Sequence, residues 1–583
     1  MKIIDLEKIF LNYKTGNLNR LPNVIRKLIL ISLAYLLKIK EINKVIVFCG
    51  HKSGIEFIDE VLELFDISYR VSAKDKLKIP SEGKLLIVSN HPLGGVDGII
   101  LLKLLSEVRN DIKIVVNDVL NYIENLKEFF LPVDLYSGKI SRENIERIFT
   151  SLNNDEAVII FPAGEVSRLR LNGIKDSDWK KSVIQIVSKV KAPVLPIFIH
   201  GRNSILFYLS AIVSKKLSMF LLPREIFNKK GANFDISIGH QIPATAFDNK
   251  FKKSDQMINL LFKHTTRISK GKSEIFNIEK NVIHPISKKN LKQQLYNSTM
   301  LGFTSDRKNI FLVESYSAPD VIKEIARLRE ITFRKVSEGT GKKMDLDKYD
   351  DYYKHIVLWD DKDLEIVGAY RIGIGRTIMS TLGVKGFYTS EIFDHSIKLE
   401  SKLQHSAELG RSFIQSKYWN TSALDYLWQG LGRFLKSNPD IKYTFGGVSL
   451  SKSYSDEAKN HIIYFFSKWF SHQIELSAAK NKYVITPLIQ RELQSVYSSQ
   501  SYKEELNTLK KILKHLGYTI PTLYKQYSEL CEQDGIHFLD FGVDSDFNDC
   551  VDALIIVEID KIKQTKKDRY LSNTINTSVL ATA

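Results

Sequence analysis

The sequence predicts an α/β protein of two domains of similar size, on three observations. Its 583 residues exceed what one hydrophobic core ordinarily holds. Between residues 84 and 199 short β-rich runs alternate with helix-periodic stretches, as in a largely buried parallel sheet. From about Lys270 to Arg307 the chain turns polar, with many Lys, Asn and Ser, and the pattern then restarts. The expected organisation is a first domain over 1–280, a linker over 281–310 and a second domain over 311–583.

In the first domain, KLLIVS (84–89), IKIVV (112–116), EAVIIF (156–161) and PVLPIFI (193–199) read as strands, with a helix over Ser141 to Leu152 among those between them. Loops after such strand ends are where an α/β site is expected. The apolar run Leu28 to Leu37, bounded by Lys27 and Lys38, falls short of the roughly 20 residues that span a bilayer. With Arg26 and Lys40 nearby, it reads equally as an interfacial helix or a core helix. Ile205 to Leu222, broken by Lys215 and Lys216 and closed by Pro223, reads as two short helices. In the second domain a helix with Ile322, Ile325, Leu328 and Ile331 on one side precedes strands over 355–359, 365–374 and 406–410, a helix from Ser422 to Leu435, and a strand over 442–448. A mixed sheet flanked by helices accommodates that order.

A hydrophobic fraction of 44% with 14 prolines describes a packed protein without long disordered tracts. The formal charge of +17 asks for an acidic partner. The sequence holds no Cys/His finger, RNP-type aromatic motif or basic heptad region, so an anionic membrane or an acidic protein is expected and nucleic acid is not. Cys49, Cys531 and Cys550 are odd in number and widely spaced, as in reduced thiols in the cytoplasm. The opening residues MKIIDLEKIF lack a secretory h-region, and the expected place is the cytoplasmic face of the cell membrane, as a peripheral protein.

The chemistry of the first domain is expected in NHPLGGVDG, residues 90–98. Pro92 keeps His91 out of the α region. Gly94 and Gly95 permit a reversal that returns Asp97 to the imidazole. A carboxylate on one ring nitrogen fixes the tautomer and leaves the other as general base, which contributes about 10² to 10⁴ in rate. After the strand at 156–161 comes FPAGEVSR, residues 161–168. Arg202 with Asn203, and Asn117 with Asp118, follow other strands and read equally as site rim or surface.

These segments, with the apolar strand APVLPIFI from Ala192, resemble the glycerolipid acyltransferase family, in its haemolysin-like branch that makes amino-acid-containing lipids. Two departures from the common family pattern stand out: five residues, not four, separate His91 from Asp97, and Ala163 replaces an acidic residue, with Glu165 two positions on. The resemblance implies that His91 and Asp97 are catalytic and that Asn90, Gly164, Glu165, Ser167 and Arg168 shape the acceptor site.

In the second domain, ELGRSF places Glu408 and Arg411 at a strand end, where Glu408 is a candidate base for an amine and Arg411 an anion ligand. With Arg329 and Phe333 in RLREITFR, Asp347 and Asp350 in DLDKYD, and Arg371 in AYRIG, this half resembles the GNAT superfamily, in its N-acyltransferases related to autoinducer synthases and ornithine-lipid enzymes. The resemblance implies Glu408 as catalytic and Arg329, Phe333, Arg371 and Arg411 as substrate-binding. RSFIQSKYWNT (411–421) holds no glycine, unlike a pyrophosphate-binding loop, so an acyl group on carrier protein suits it. The acidic tail residues Asp544, Asp546 and Asp549 read as solvated turn residues.

Together the resemblances imply a bifunctional aminolipid synthase. One domain would N-acylate an amino acid with a 3-hydroxyacyl group, and the other would O-acylate that hydroxyl. No bound cofactor or metal is expected; the donor would be acyl-carrier protein or acyl-CoA, and the substrates an amino acid and a lyso-aminolipid. The alternative is a single-activity lysophospholipid-type O-acyltransferase whose C-terminal half only recruits.

Overall fold

The computed structural model describes residues 22–571 except 37, 118–119, 121–122, 134–141, 171–172, 214, 248–252, 337, 533, 546 and 548. It divides into two compact units, Met1–His284 and Pro285–Ala583.

The first unit is built on a seven-stranded sheet in the order β1-β9-β8-β2-β5-β3-β4. Its strands are β1 (Ser68–Arg70), β2 (Leu85–Ser89), β3 (Ile112–Asn117), β4 (Phe130–Val133), β5 (Ala157–Ile160), β8 (Val194–His200) and β9 (Asn233–Ile238). A separate hairpin joins β6 (Arg168–Arg170) to β7 (Gly173–Lys175). Strands β8, β2, β5, β3 and β4 run parallel, and β9 is antiparallel to β8. Every residue of β2 and β5 is buried because alternate side chains feed two cores. Leu85, Ile87, Ala157 and Ile159 pack on one face of the sheet, and Leu86, Val88, Val158 and Ile160 on the other.

The four strands expected here are present within a residue or two at their ends, and the expected helix over Ser141 to Leu152 is Arg142–Asn153. Pro223 does not close the second apolar helix, which runs Lys215–Phe227 with the proline inside it. Interior proline costs about 3 kcal/mol, but the helix is tied down on either side of it by buried Leu221 and by Glu225, which accepts from the backbone and hydroxyl of Ser204. The early apolar run as far as Leu36 lies in the helix Asn23–Leu36, which leaves Ile31 65% and Tyr35 89% exposed, and Leu37 is outside the described residues. Among the described residues no helix is long and apolar enough to cross a membrane.

The second unit carries an eight-stranded sheet in the order β10-β11-β12-β13-β15-β16-β19-β18. These are β10 (Thr299–Phe303), β11 (Asn309–Val313), β12 (Lys354–Asp360), β13 (Glu365–Ile374), β15 (Ser406–Ile414), β16 (Tyr443–Leu450), β18 (Ile536–Asp544) and β19 (Cys550–Glu558). A small ribbon pairs β14 (Phe393–His395) with β17 (Ser477–Ala479). The one parallel pair of the large sheet, β15 with β16, holds register for only Ser406↔Tyr443, Ala407↔Thr444 and Glu408↔Phe445. Beyond it the two strands part. Gly446 allows the close approach at that fork, since a Cβ there would lie 2.0 Å from the Leu409 carbonyl oxygen.

The expected linker is a correction. Residues 285–310 carry the helix Lys288–Tyr296, β10 and the start of β11. Leu291 and Leu295 occupy one helix face and are buried in the second unit's core. Only two of the helix's nine residues enter that core, so its composition reads as polar although it is part of the domain.

Candidate active sites

In the first unit the site forms where the chain leaves the carboxyl ends of β2 and β5. Asn90 follows β2 and turns inward. Its amide nitrogen donates to the Ile199 carbonyl at 2.9 Å and its oxygen accepts from the Ile199 N–H at 2.7 Å. The residue expected to touch the acceptor instead fastens β2 to β8, through both ends of its carboxamide.

His91 comes next. The chain reverses at Gly94, whose φ of 88° suits glycine, and enters the helix Gly95–Ser106 with Asp97 in its first turn. Three donors converge on Asp97 Oδ2: His91 Nδ1 at 2.9 Å, the Leu93 N–H at 2.8 Å and the Gly94 N–H at 3.0 Å. Burial pushes the Asp97 carboxyl up, while His91 and the two amides oppose that rise. The His91 ring stacks on Phe161, centroids 4.1 Å apart and planes at 20°. Its side chain stays 18% exposed while that of Asp97 is sealed at 0%. Nε2 is the nitrogen that Asp97 leaves for a substrate proton.

The FPAGEVSR loop closes over this couple. Gly164 has a φ of 67°, and a Cβ there would meet the Lys180 ammonium at 2.8 Å. The Ser167 N–H donates to the His91 carbonyl at 2.8 Å. Asp176, which sequence reasoning missed, binds the two segments together. It accepts from the His91 N–H at 3.3 Å, from Trp179 Nε1 at 3.0 Å and from the Ser167 hydroxyl. Nothing in the local sequence marks it, since it sits in KDSDW like any turn carboxylate. Arg168 is paired already, 2.9 Å from Glu165 and 3.3 Å from the Ser218 hydroxyl, and Ser177 donates to Glu165 as well. An anionic headgroup at Arg168 would compete with Glu165. Asn203 is buried and donates to the Pro92 carbonyl at 3.1 Å, whereas Arg202 is exposed. Asp118 lies outside the described residues. Beside β6 the helix Ile205–Val213 presents Ile205, Leu206, Leu209 and Ile212 to solvent.

In the second unit the expected charges fall into two groups. Arg329 is fully buried and bidentate on Asp350, at 2.9 and 2.7 Å. Arg371, also buried, donates to Asp347 at 2.6 Å and Asp350 at 3.2 Å. Burial opposes ionisation of Asp350, but Arg329 and Arg371 outweigh it and hold the carboxyl far below the usual range. Asp345 and Asp347 extend this network to Arg411, at 3.5 and 3.9 Å, and the fully buried Arg329 and Arg371 support the site from behind.

Glu408 is a correction of the same kind. It is buried and accepts from the Tyr388 N–H at 2.9 Å, from the Thr389 N–H at 2.7 Å and from the Tyr353 hydroxyl. With three donors seated, this carboxylate anchors the turn at 388–389 and keeps only one of its roughly four lone-pair sites for an amine proton. Arg411 does reach the fork. It lies in a bulge of β15 with a φ of 50°, its guanidinium over the rings of Tyr388 at 4.8 Å and Phe547 at 4.4 Å. Phe333 meets Phe547 edge-on at 5.1 Å and forms part of that wall. Asp544, expected as a solvated turn residue, is buried and accepts from the Tyr388 hydroxyl at 2.7 Å. Asp546 is outside the described residues.

Known proteins match the two halves separately. Residues 17–269 match the family described as acyltransferase, and residues 328–429 the acetyltransferase (GNAT) domain. A glycine N(alpha)-acyltransferase of Bacteroides thetaiotaomicron is 32% identical over 307 residues, 50% of this chain and 90% of that one. A lyso-glycine lipid O-acyltransferase of Phocaeicola vulgatus is 31% identical over 253 residues, 42% of this chain and 88% of that one. The crystal structure of the 1-acyl-sn-glycerophosphate acyltransferase of Thermotoga maritima covers 42% of this chain and 94% of its own, at 16% identity and a TM-score of 0.25, too low to carry weight. The chain therefore belongs to these two acyltransferase families, one in each half, and it is an enzyme of acyl transfer.

Proposed function

We propose that this chain makes a glycine-type aminolipid in two steps, N-acylating glycine with a 3-hydroxyacyl group in the second unit and O-acylating the new hydroxyl in the first. The observation that supports this most is that one chain matches, in separate halves, a relative named for each step. The intermediate is a single-chain amphiphile, and tethering the second site to the first raises the concentration it meets.

In the O-acylation step the hydroxyl proton passes to His91 Nε2 as the oxygen attacks the thioester carbonyl. The C–O bond forms, the C–S bond breaks, and the imidazolium returns its proton to the departing thiolate. Asp97 holds Nδ1–H in place and balances the imidazolium charge. The donor is the thioester of an acidic acyl-carrier protein or of CoA; the charge of +17 and the glycine-free 411–421 loop favour the carrier protein. Exposed Ile205, Leu206, Leu209 and Ile212 beside the Arg168 strand suit seating of the first unit on an anionic membrane at the cytoplasmic face.

The test supplies purified chain with N-(3-hydroxypalmitoyl)glycine and palmitoyl-acyl-carrier protein and follows the esterified product. The reading expects turnover by the wild type and its loss in His91→Ala. Turnover of lysophosphatidic acid in place of the glycine conjugate would overturn it in favour of a single lysophospholipid-type activity.

A further inference from the structure

Amide formation needs a group that takes a proton from the amine, and the second unit's Glu408 already accepts from three donors. The fork between β15 and β16 offers another carboxylate. In register, Phe445 lies opposite both Glu408 and Ile556, and Ser449 opposite Asp552. Strand alternation then places Glu408, Phe445, Gly447, Ser449 and Asp552 on one face of the sheet. Gly447 has no side chain to cover its neighbour: a Cβ there would stand 3.3 Å from Asp552 Oδ2. Gly447 thus leaves β16 bare on this face beside a buried carboxylate. Across the same space lies Arg411, whose buried Nε makes no hydrogen bond and stands 3.5 Å from the Asp345 carboxylate.

We propose that Asp552 is the proton acceptor for the amine in N-acyl transfer, while Arg411 holds the carboxylate of the amino acid. Asp552 accepts hydrogen bonds from the Ser449 hydroxyl on β16 and from the Cys550 thiol on its own strand, and it also faces Asp544 on β18, Arg411 on β15, Glu338 after the helix Pro319–Lys335, and Tyr388 and Tyr524. Burial, then the Asp544 carboxylate, raises Asp552 to about 6. Burial, then Asp552 itself, raises Glu338 to about 8 against the pull of Arg411. Near neutral pH Asp552 is therefore ionised and able to act as the base, while Glu338 keeps its proton. The entering ammonium gives one proton to Asp552. The free amine attacks the thioester carbonyl, the C–N bond forms and the C–S bond breaks. The second nitrogen proton goes to the thiolate, and Asp552 releases its own to solvent.

This inference rests on the glycine N-acylation proposed above, and its test separates the two. Purified chain is given glycine and 3-hydroxypalmitoyl-acyl-carrier protein, and kcat and KM for glycine are followed from pH 5 to 9. The wild type is expected to form the N-acylglycine with an acidic limb near pH 6. Asp552→Asn is expected to lower kcat by about 10² to 10³ and abolish that limb, while its melting temperature rises. Glu338→Gln is expected to move the limb without removing it. An Asp552→Asn chain with kcat within threefold of wild type, or one whose loss comes with an unchanged limb and a lower melting temperature, would overturn the assignment. A wild type inactive on glycine would instead refute the N-acylation itself and this base with it.

Discussion

Replacing Asp97 by asparagine separates what the carboxylate does by geometry from what it does by charge. Its Oδ2 takes three donors, His91 Nδ1, Leu93 N and Gly94 N, while Oδ1 is buried with no hydrogen-bond partner. An asparagine that turned its amide toward the imidazole would strand two buried backbone N–H groups, at about 1–3 kcal/mol each. It therefore sets its carbonyl where Oδ2 was, keeps all three bonds and preserves the histidine tautomer. The negative charge is lost. Opposite unit charges about 4 Å apart are worth about 4 kcal/mol at an effective dielectric of 20, so the imidazolium-like transition state loses up to about 10³ in rate. The stability change is small, because relief of a buried charge offsets an unpaired amide. The assay is steady-state O-acylation with thermal unfolding alongside. Asp97→Asn should cut kcat by about 10² to 10³ with KM for the hydroxyl substrate near wild type. Retention of more than a tenth of kcat, or a loss confined to KM, would refute the charge-balancing role.

Other outcomes follow from the same geometry. Asn90→Ala removes both hydrogen bonds to Ile199 and should cost about 2–4 kcal/mol in urea unfolding; a change below about 0.5 kcal/mol would deny the fastening role. Glu408→Gln leaves only one acceptor oxygen for three donors and should destabilise the chain by about 1–3 kcal/mol while keeping the acidic limb of the N-acylation profile; loss of that limb would restore Glu408 as the base. Asp552 titrates at about 6 in the fold against 3.8 unfolded, so its ionisation weakens the fold as pH rises through that window. Asp552→Asn should match wild type below pH 3.8 and gain up to about 3 kcal/mol above pH 6; equal stability at neutral pH would contradict the buried charge.

What was legible in the sequence was local. His91, Pro92, Gly94 and Asp97 lie within one reversal, and their backbone preferences bring the carboxylate to the ring. The strands of the first sheet were legible because both faces are buried and they read as continuous apolar runs. What stayed hidden depends on distant partners. Asn90 meets Ile199, 109 residues away, and Asp176 reaches back 85 residues to the His91 backbone. Glu408 looked like a base because its three donors, at Tyr353, Tyr388 and Thr389, come from two other segments. Asp552 shares a sheet face with Glu408 only through the registers of β15, β16 and β19. The helix Lys288–Tyr296 passed for a linker because two leucines among polar neighbours gave too narrow an apolar stripe to read.

The central claim is that one chain carries two consecutive acyl transfers, with His91 needed only for the second. Mass spectrometry of lipids from cells expressing the His91→Ala chain tests it most directly. The account predicts that the mono-acyl glycine amide accumulates while the diacyl species disappears. Continued diacyl product, or the absence of both species from cells in which the wild type makes both, would contradict it.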